Sequence, residues 1–140
     1  MKIAIGSDHA GYEHKTKIIN YLENKKHQVL DVGTNSLDSV DYPDFAHSVS
    51  EEVLLGADFG ILICGSGNGI AMAANKTKGI RAAVCWNKEI TLLSRQHNDA
   101  NIISLGSRLI SAKLALNCVN IFLKTRFESG RHLRRVKKIK

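Results

Sequence analysis

The chain is short of several things, and each shortage excludes a class of protein. It has one proline and three cysteines, and only 6% of its residues are aromatic. Cys64, Cys85 and Cys118 are an odd number in unrelated contexts, and no CxxC pair occurs. Neither a disulfide framework nor a cysteine zinc site is indicated. No apolar run approaches the roughly 20 residues that a membrane helix needs. The N-terminal run meets Asp8 and His9 too soon to read as a signal peptide. These readings predict a cytoplasmic protein with no membrane partner. The sequon Asn75-Lys76-Thr77 is discounted on the same ground. Aromatic residues do not interleave with basic ones, so no dedicated nucleic-acid surface is expected. No repeat, low-complexity linker or domain boundary divides the 140 residues, a length that suits one domain.

Charge is present but unevenly placed. The net charge is +7, and residues 124–140 alone hold eight Lys and Arg against one acid. Residues 1–123 hold twelve of each sign. The excess is therefore a basic C-terminal tail. It contains Gly130-Arg131-His132-Leu133-Arg134-Arg135, and arginine suits bidentate phosphate recognition. A solvated basic end is the plain alternative. A tail this short can pin the phosphate of a small substrate, in its own site or in a partner subunit's.

Hydrophobic periodicity alternates between two kinds. Strands are expected over 2–6, 28–32, 59–64, 80–84 and 101–105. The run over 59–64 is near-continuously apolar, as in a strand covered on both faces. Helices are expected between them, over 12–25 with Ile18, Ile19 and Leu22 inward and Glu13 paired to Lys17. Another follows a cap at Asp44 and carries Phe45, Val49 and Val53. A short one spans Ala71 to Asn75. One after Asn87 carries Ile90 and Leu93 inward, and one after Ser111 carries Ala115, Val119 and Phe122. Five β-α alternations predict a parallel five-stranded sheet in a Rossmann-like three-layer α/β/α sandwich. Ligands of such sheets bind beyond the carboxyl ends of the strands. That rule marks Ser7-Asp8-His9, residues 64–69 and Gly106-Ser107-Arg108.

Residues 61–70 read ILICGSGNGI, an apolar strand that ends on a thiol and is followed by a bare turn. Gly65, Gly67 and Gly69 let backbone N–H groups converge on an anion, with a helix N-terminus behind them. The pattern is neither G-x-G-x-x-G nor a Walker A motif. A tight structural turn is the bland reading; the adjacent Cys64 favours the anion site. A thiol at a helix N-terminus can serve as base or nucleophile. Cys118 lies in an apolar helical pattern and reads as core. Cys85 reads as inert, with a place on the site's rim left open. Asp8 and His9 read equally well as cap and surface residue or as site residues. His97-Asn98 lie in a polar stretch longer than a turn requires, and histidine exchanges protons near neutral pH. Asp41 and Tyr42 lie in the long loop over 33–43.

The motifs G-S-D-H-A-G, D-Y-P-D, I-L-I-C-G-S-G-N-G-I, A-A-N-K, G-I-R-A, S-R-Q-H-N-D-A-N, G-S-R and G-R-H-x-x-R occur in that order. Together they resemble the type B ribose-5-phosphate isomerases, a family that includes the galactose-6-phosphate isomerase subunits. The resemblance covers nearly the whole chain. It implies interconversion of ribose 5-phosphate and ribulose 5-phosphate in the pentose phosphate pathway, with no metal or organic cofactor. It also implies a homodimer with shared active sites, with a dimer of dimers left open. By matching motif, Cys64 resembles the base that removes the C2 proton; some relatives use a glutamate elsewhere. Ser66 stands where many relatives have threonine and would shuttle protons between O1 and O2. His97 resembles the acid that opens the furanose ring. The N–H groups of Gly65, Ser66, Gly67, Asn68 and Gly69 would hold the enediolate. Asp8 and Asn98 would fix sugar hydroxyls, and Asp41 and Tyr42 would line the pocket. His9, Arg108, Arg131 and Arg135 would bind phosphate, some of them from the partner chain. Two other readings stand beside this one: a six-carbon sugar phosphate as substrate, such as allose 6-phosphate or galactose 6-phosphate, and a non-catalytic binding module.

Overall fold

The computed structural model describes residues 1–140. The elements in chain order are β1 (Lys2–Ser7), α1 (Tyr12–Asn24), β2 (Gln28–Asp31), α2 (Tyr42–Leu54), β3 (Phe59–Cys64) and α3 (Asn68–Ala74). Next come β4 (Ala82–Val84), α4 (Lys88–Gln96), β5 (Ile102–Gly106), α5 (Ala112–Lys124) and α6 (Gly130–Lys137). The five strands are all parallel, in the order β2-β1-β3-β5-β4. No helix is long and apolar enough to cross a membrane.

The period-two alternation of the strands decides which helix covers which face. Ile3, Ile5, Ile61, Ile63, Ile103 and Leu105 point to one side and meet Ile18 and Leu22 of α1 and Val119 and Phe122 of α5. Ala4, Leu62, Cys64 and Ile102 point to the other and meet Val49 of α2 and Ile70 and Ala74 of α3. Each fully buried Ile or Leu contributes about 1.5–3 kcal/mol, so this double-sided core holds the sheet. The expected three-layer sandwich is the observed one.

Four local expectations need correction. Helix α2 starts at Tyr42, with Asp41 at its N-cap rather than Asp44. Pro43 in the first turn explains this, since a missing N–H costs nothing there. Helix α3 starts at Asn68 rather than Ala71, because Gly67 (φ 81°) turns the chain directly into it. Helix α4 buries Thr91, Ser94 and Arg95 and leaves Leu93 only half-buried. Arg95 is accommodated because its guanidinium donates to Asp99 at 2.8 Å and to the Ala100 carbonyl at 2.6 Å. It also lies over the Phe59 ring. Glu13 and Lys17 make no ion pair. Instead Lys15, 1% exposed, pairs with Asp31 at 2.6 Å.

The sheet's last strand is plugged by a side chain. The Asn75 amide accepts from the Ala82 N–H at 2.7 Å and donates to the Ala82 carbonyl at 2.9 Å. It takes the place of a further strand at that edge. The tail is not extended: α6 follows a reversal in which Ser129 (φ 61°) and Gly130 (φ 51°) both have positive φ.

Candidate active site

Strand order creates the site. From β1 the chain moves outward to β2, and from β3 it moves the other way to β4, so β1 and β3 flank the switch in direction. Open α/β sheets bind ligands at the carboxyl ends of such a strand pair. Asp8 follows β1 and Cys64 ends β3. Both line a cleft of about 390 Å³ together with Tyr42, Gly65, Ser66, Gly69, Arg108 and Leu109.

Cys64 is 5% exposed: it belongs to the core cluster beneath α2 and α3 and also lines that cleft. The Gly67 N–H donates to Sγ at 3.1 Å. The Asn68 N–H donates to Ser66 Oγ at 3.2 Å. Two of the five amides expected to face an anion are thus committed within the turn. The N–H groups of Gly65, Ser66 and Gly69 have no partner within the chain, as expected where a helix begins.

The glycines of this region are demanded by close approach. A Cβ on Gly69 would lie 2.6 Å from Cζ of Tyr42, and one on Gly65 would lie 2.9 Å from a terminal nitrogen of Arg108. Gly106, on β5 beside Cys64, would bring a Cβ within 2.5 Å of the Ser66 carbonyl oxygen. Backbone there cannot yield without opening the turn. Gly106→Ala is expected to destabilise the fold by about 2 kcal/mol, within the usual range for overpacking, and to lower turnover as well. Urea unfolding and steady-state rates check both effects.

The remaining residues divide into two groups. Asp8 accepts the Gly11 N–H at 3.1 Å and so caps the turn over His9–Gly11 while lining the cleft. His9 accepts the Val40 N–H at 3.2 Å through Nδ1, which ties the 33–43 loop to the site. Asp41 is exposed at the N-cap of α2, beside Tyr42. Asp8, Tyr42 and Arg108 line the cleft with Cys64, and His9 and Asp41 are the chain neighbours of the first two.

His97, Asn98, Arg131 and Arg135 do not line that cleft. Helix α4 runs back across the sheet, so His97 and Asn98 precede β5, at the amino ends of the strands. Strand β5 alone spans about 16 Å at roughly 3.3 Å per residue, with Cys64 paired to its far end at Gly106. Helix α5 returns the chain to the same amino end. There the Glu128 N–H bonds the Gln96 carbonyl at 3.0 Å, and α6 places His132 on His97. The two rings stack 4.2 Å apart at 13°.

The other thiols are unsuited to chemistry. Burial pushes Cys85 up to about 11 and also raises Cys118, which keeps both protonated at neutral pH. Cys85 is almost fully buried but borders a neighbouring hollow shared with Ser66, Trp86 and Leu109. Sequence reasoning missed Leu109 as a wall of the cleft and His132 as the neighbour of His97. His132 lies within the G-R-H-x-x-R motif, which was its only signal.

The sequence matches the model of the Ribose/Galactose Isomerase family over residues 3–139. The chain belongs to the ribose/galactose isomerase family. Among relatives, ribose-5-phosphate isomerase B of Escherichia coli is 46% identical over 139 residues, covering 99% of this chain and 93% of that one. The ribose-5-phosphate isomerase B structure from Clostridium thermocellum superposes with a TM-score of 0.98 at 53% identity, over 99% of this chain and 95% of that one. The Mycoplasma genitalium enzyme, solved with bound ribulose 5-phosphate, superposes with a TM-score of 0.95 at 45% identity, over 99% and 93% of the two chains. The ribose/galactose isomerase family thus accounts for the whole sheet and for the tail helix as well as for the glycine turn.

Proposed function

We propose that the chain is an aldose-ketose isomerase that interconverts ribose 5-phosphate and ribulose 5-phosphate through an enediolate. The observation that carries this is Cys64, a cleft-lining cysteine followed by backbone N–H groups of residues 65, 66 and 69 that have no partner. Cys64 takes the proton from C2. The free amides receive the negative charge that then appears on oxygen, and each such donor is worth roughly 3 kcal/mol of barrier. Ser66 moves a proton between O2 and O1, and the proton from C2 is returned at C1 to give the ketose. Asp8, Asp41 and Tyr42 hold the sugar, with His9 and Arg108 nearer the phosphate. The experiment is a steady-state assay of the purified protein on ribose 5-phosphate beside allose 6-phosphate. Clear preference for the pentose supports the reading, whereas preference for the hexose assigns a six-carbon substrate.

One chain supplies only half of this machinery. His97 as ring-opening acid, Asn98 as sugar contact and Arg131 and Arg135 as phosphate clamp sit at the wrong end of their own sheet. The reading therefore requires a homodimer in which these groups enter the partner's Cys64 cleft, with residues 124–140 as the arm of a single domain. Trp86, Leu109 and Met72, 55%, 69% and 67% exposed, supply apolar surface at the carboxyl end for that contact. Two-fold symmetry then builds two equal sites from two half-sites. A catalytic thiol and a pentose phosphate substrate both suit the reducing cytoplasm, which is the proposed location.

Arg135→Ala is expected to raise KM about 10- to 100-fold with a smaller change in kcat, since a charge-assisted hydrogen bond is worth about 1.5–3 kcal/mol. Michaelis profiles check this, and an unchanged KM removes the tail from the phosphate site.

A further inference from the structure

The donors around His97 have a second use. One ring nitrogen each of His97 and His132 and a carboxylate oxygen of Glu128 all lie within 4.8 Å of one another. Glu128 is the one acid among residues 124–140, which also carry eight Lys and Arg. Simple charge pairing would set it against one of those cations. The chain's ion pairs are Lys15–Asp31, Arg81–Asp99 and Arg95–Asp99, so Glu128 takes part in none. It faces two imidazoles instead, and no side-chain hydrogen bond occupies any of the three groups.

The backbone holds this arrangement from both sides. The Glu128 N–H is tied to Gln96, the residue before His97, at 3.0 Å. The reversal at Ser129 and Gly130 then folds α6 back, with the His132 N–H on the Ser129 carbonyl at 2.9 Å.

Two imidazoles and one carboxylate are a donor set that borderline divalent cations accept, with the fourth position left to water. We propose that His97, Glu128 and His132 form a binding site for a divalent transition cation, zinc foremost, and that its occupancy switches off isomerisation. The inhibitory half of this rests on the reading of His97 as the ring-opening acid. The ion is an inhibitor and plays no part as a cofactor. Tetrahedral donors at zinc distances lie about 3.4 Å apart, so the groups must close somewhat and the stacked rings must open toward a common centre. Both histidines are only half-buried, and side-chain rotation supplies that movement. The neighbouring arginines oppose a cation, so micromolar affinity is expected rather than the tighter binding of structural zinc.

The test uses the full-length protein, titrated with Zn²⁺ by calorimetry and with Co²⁺ by visible absorption. One ion per chain is expected, with cobalt bands of nitrogen and oxygen coordination. Glu128→Gln and His132→Asn should each weaken binding at least tenfold, and Glu128→Gln should leave the metal-free rate on ribose 5-phosphate near wild type. Zn²⁺ should inhibit that rate, and a chelator should restore it. Absence of binding, or affinity unchanged in both variants, overturns the site. So does a thiolate-to-cobalt band that disappears in Cys64→Ala, which would put the ion on the thiol. Binding that responds to both variants but leaves turnover intact upholds the site, and overturns both the inhibition and the acid role of His97.

Discussion

Cys64→Ala is expected to lower kcat on ribose 5-phosphate by about three orders of magnitude, the middle of the range for a positioned general base, with KM changed far less. The split follows from position. Cys64 lines the cleft but is only 5% exposed, so it contributes little surface to substrate binding. Its removal leaves the amides of Gly65, Ser66 and Gly69 and the Arg108 side chain in place, and ground-state contacts persist. What disappears is the group proposed to accept the C2 proton, an interaction made only as the carbon acid ionises. Replacing a strand-end thiol by a methyl group removes one atom next to the Gly67 turn, so the far-ultraviolet circular dichroism should match wild type. Steady-state kinetics with isotope exchange at C2 decide the matter. A near-normal rate in the alanine variant would assign proton transfer to another group and end the mechanism.

Mixing two dead variants is expected to restore activity. On the proposed mechanism Cys64→Ala lacks the base and His97→Asn the ring-opening acid, so each variant alone should be nearly inactive. If each site takes Cys64 from one chain and His97 from the other, a mixed dimer has one intact site and one doubly defective site. Random exchange of equal amounts makes half the dimers mixed, so about a quarter of the wild-type rate should return. The prediction rests on topology: α4 crosses the sheet between Cys85 and His97, and no rotamer brings His97 back past β5 to Cys64. Denaturation and refolding of the mixture, followed by an activity assay, reads the result. No recovery beyond the parents would show that each chain works alone.

Most of the fold was legible before any coordinates. The spacing of Ile18 and Leu22, of Val49 and Val53, and of Val119 and Phe122 names the inward helix faces. The isoleucines of β1, β3 and β5 name the strands. These are local signals, since period and burial are written in neighbouring residues. The misplaced details were those where a distant group decides. Asp44 is a good capping residue, but Pro43 shifts the helix start forward. Glu13 and Lys17 have pairing geometry, yet Lys15 is the lysine drawn inward, because Asp31 on β2 waits beneath it. Arg95 is charged yet buried, because Asp99, Ala100 and Phe59 converge on it.

The candidate site divides in the same way. Sequence by itself determined the chemistry: a thiol at a strand end, a turn without side chains, a basic tail and an ordered set of motifs. Each of these depends on residue type and short-range spacing, which the chain carries openly. Only tertiary structure decided who meets whom. Strand order put Asp8 beside Cys64 at the switch point, and the return path of α4 carried His97 to the opposite end of the sheet. The packing of α6 then set His132 and Glu128 against it. Such pairings depend on crossover direction and helix docking, which are sums over the whole core, so no short stretch of the chain encodes them.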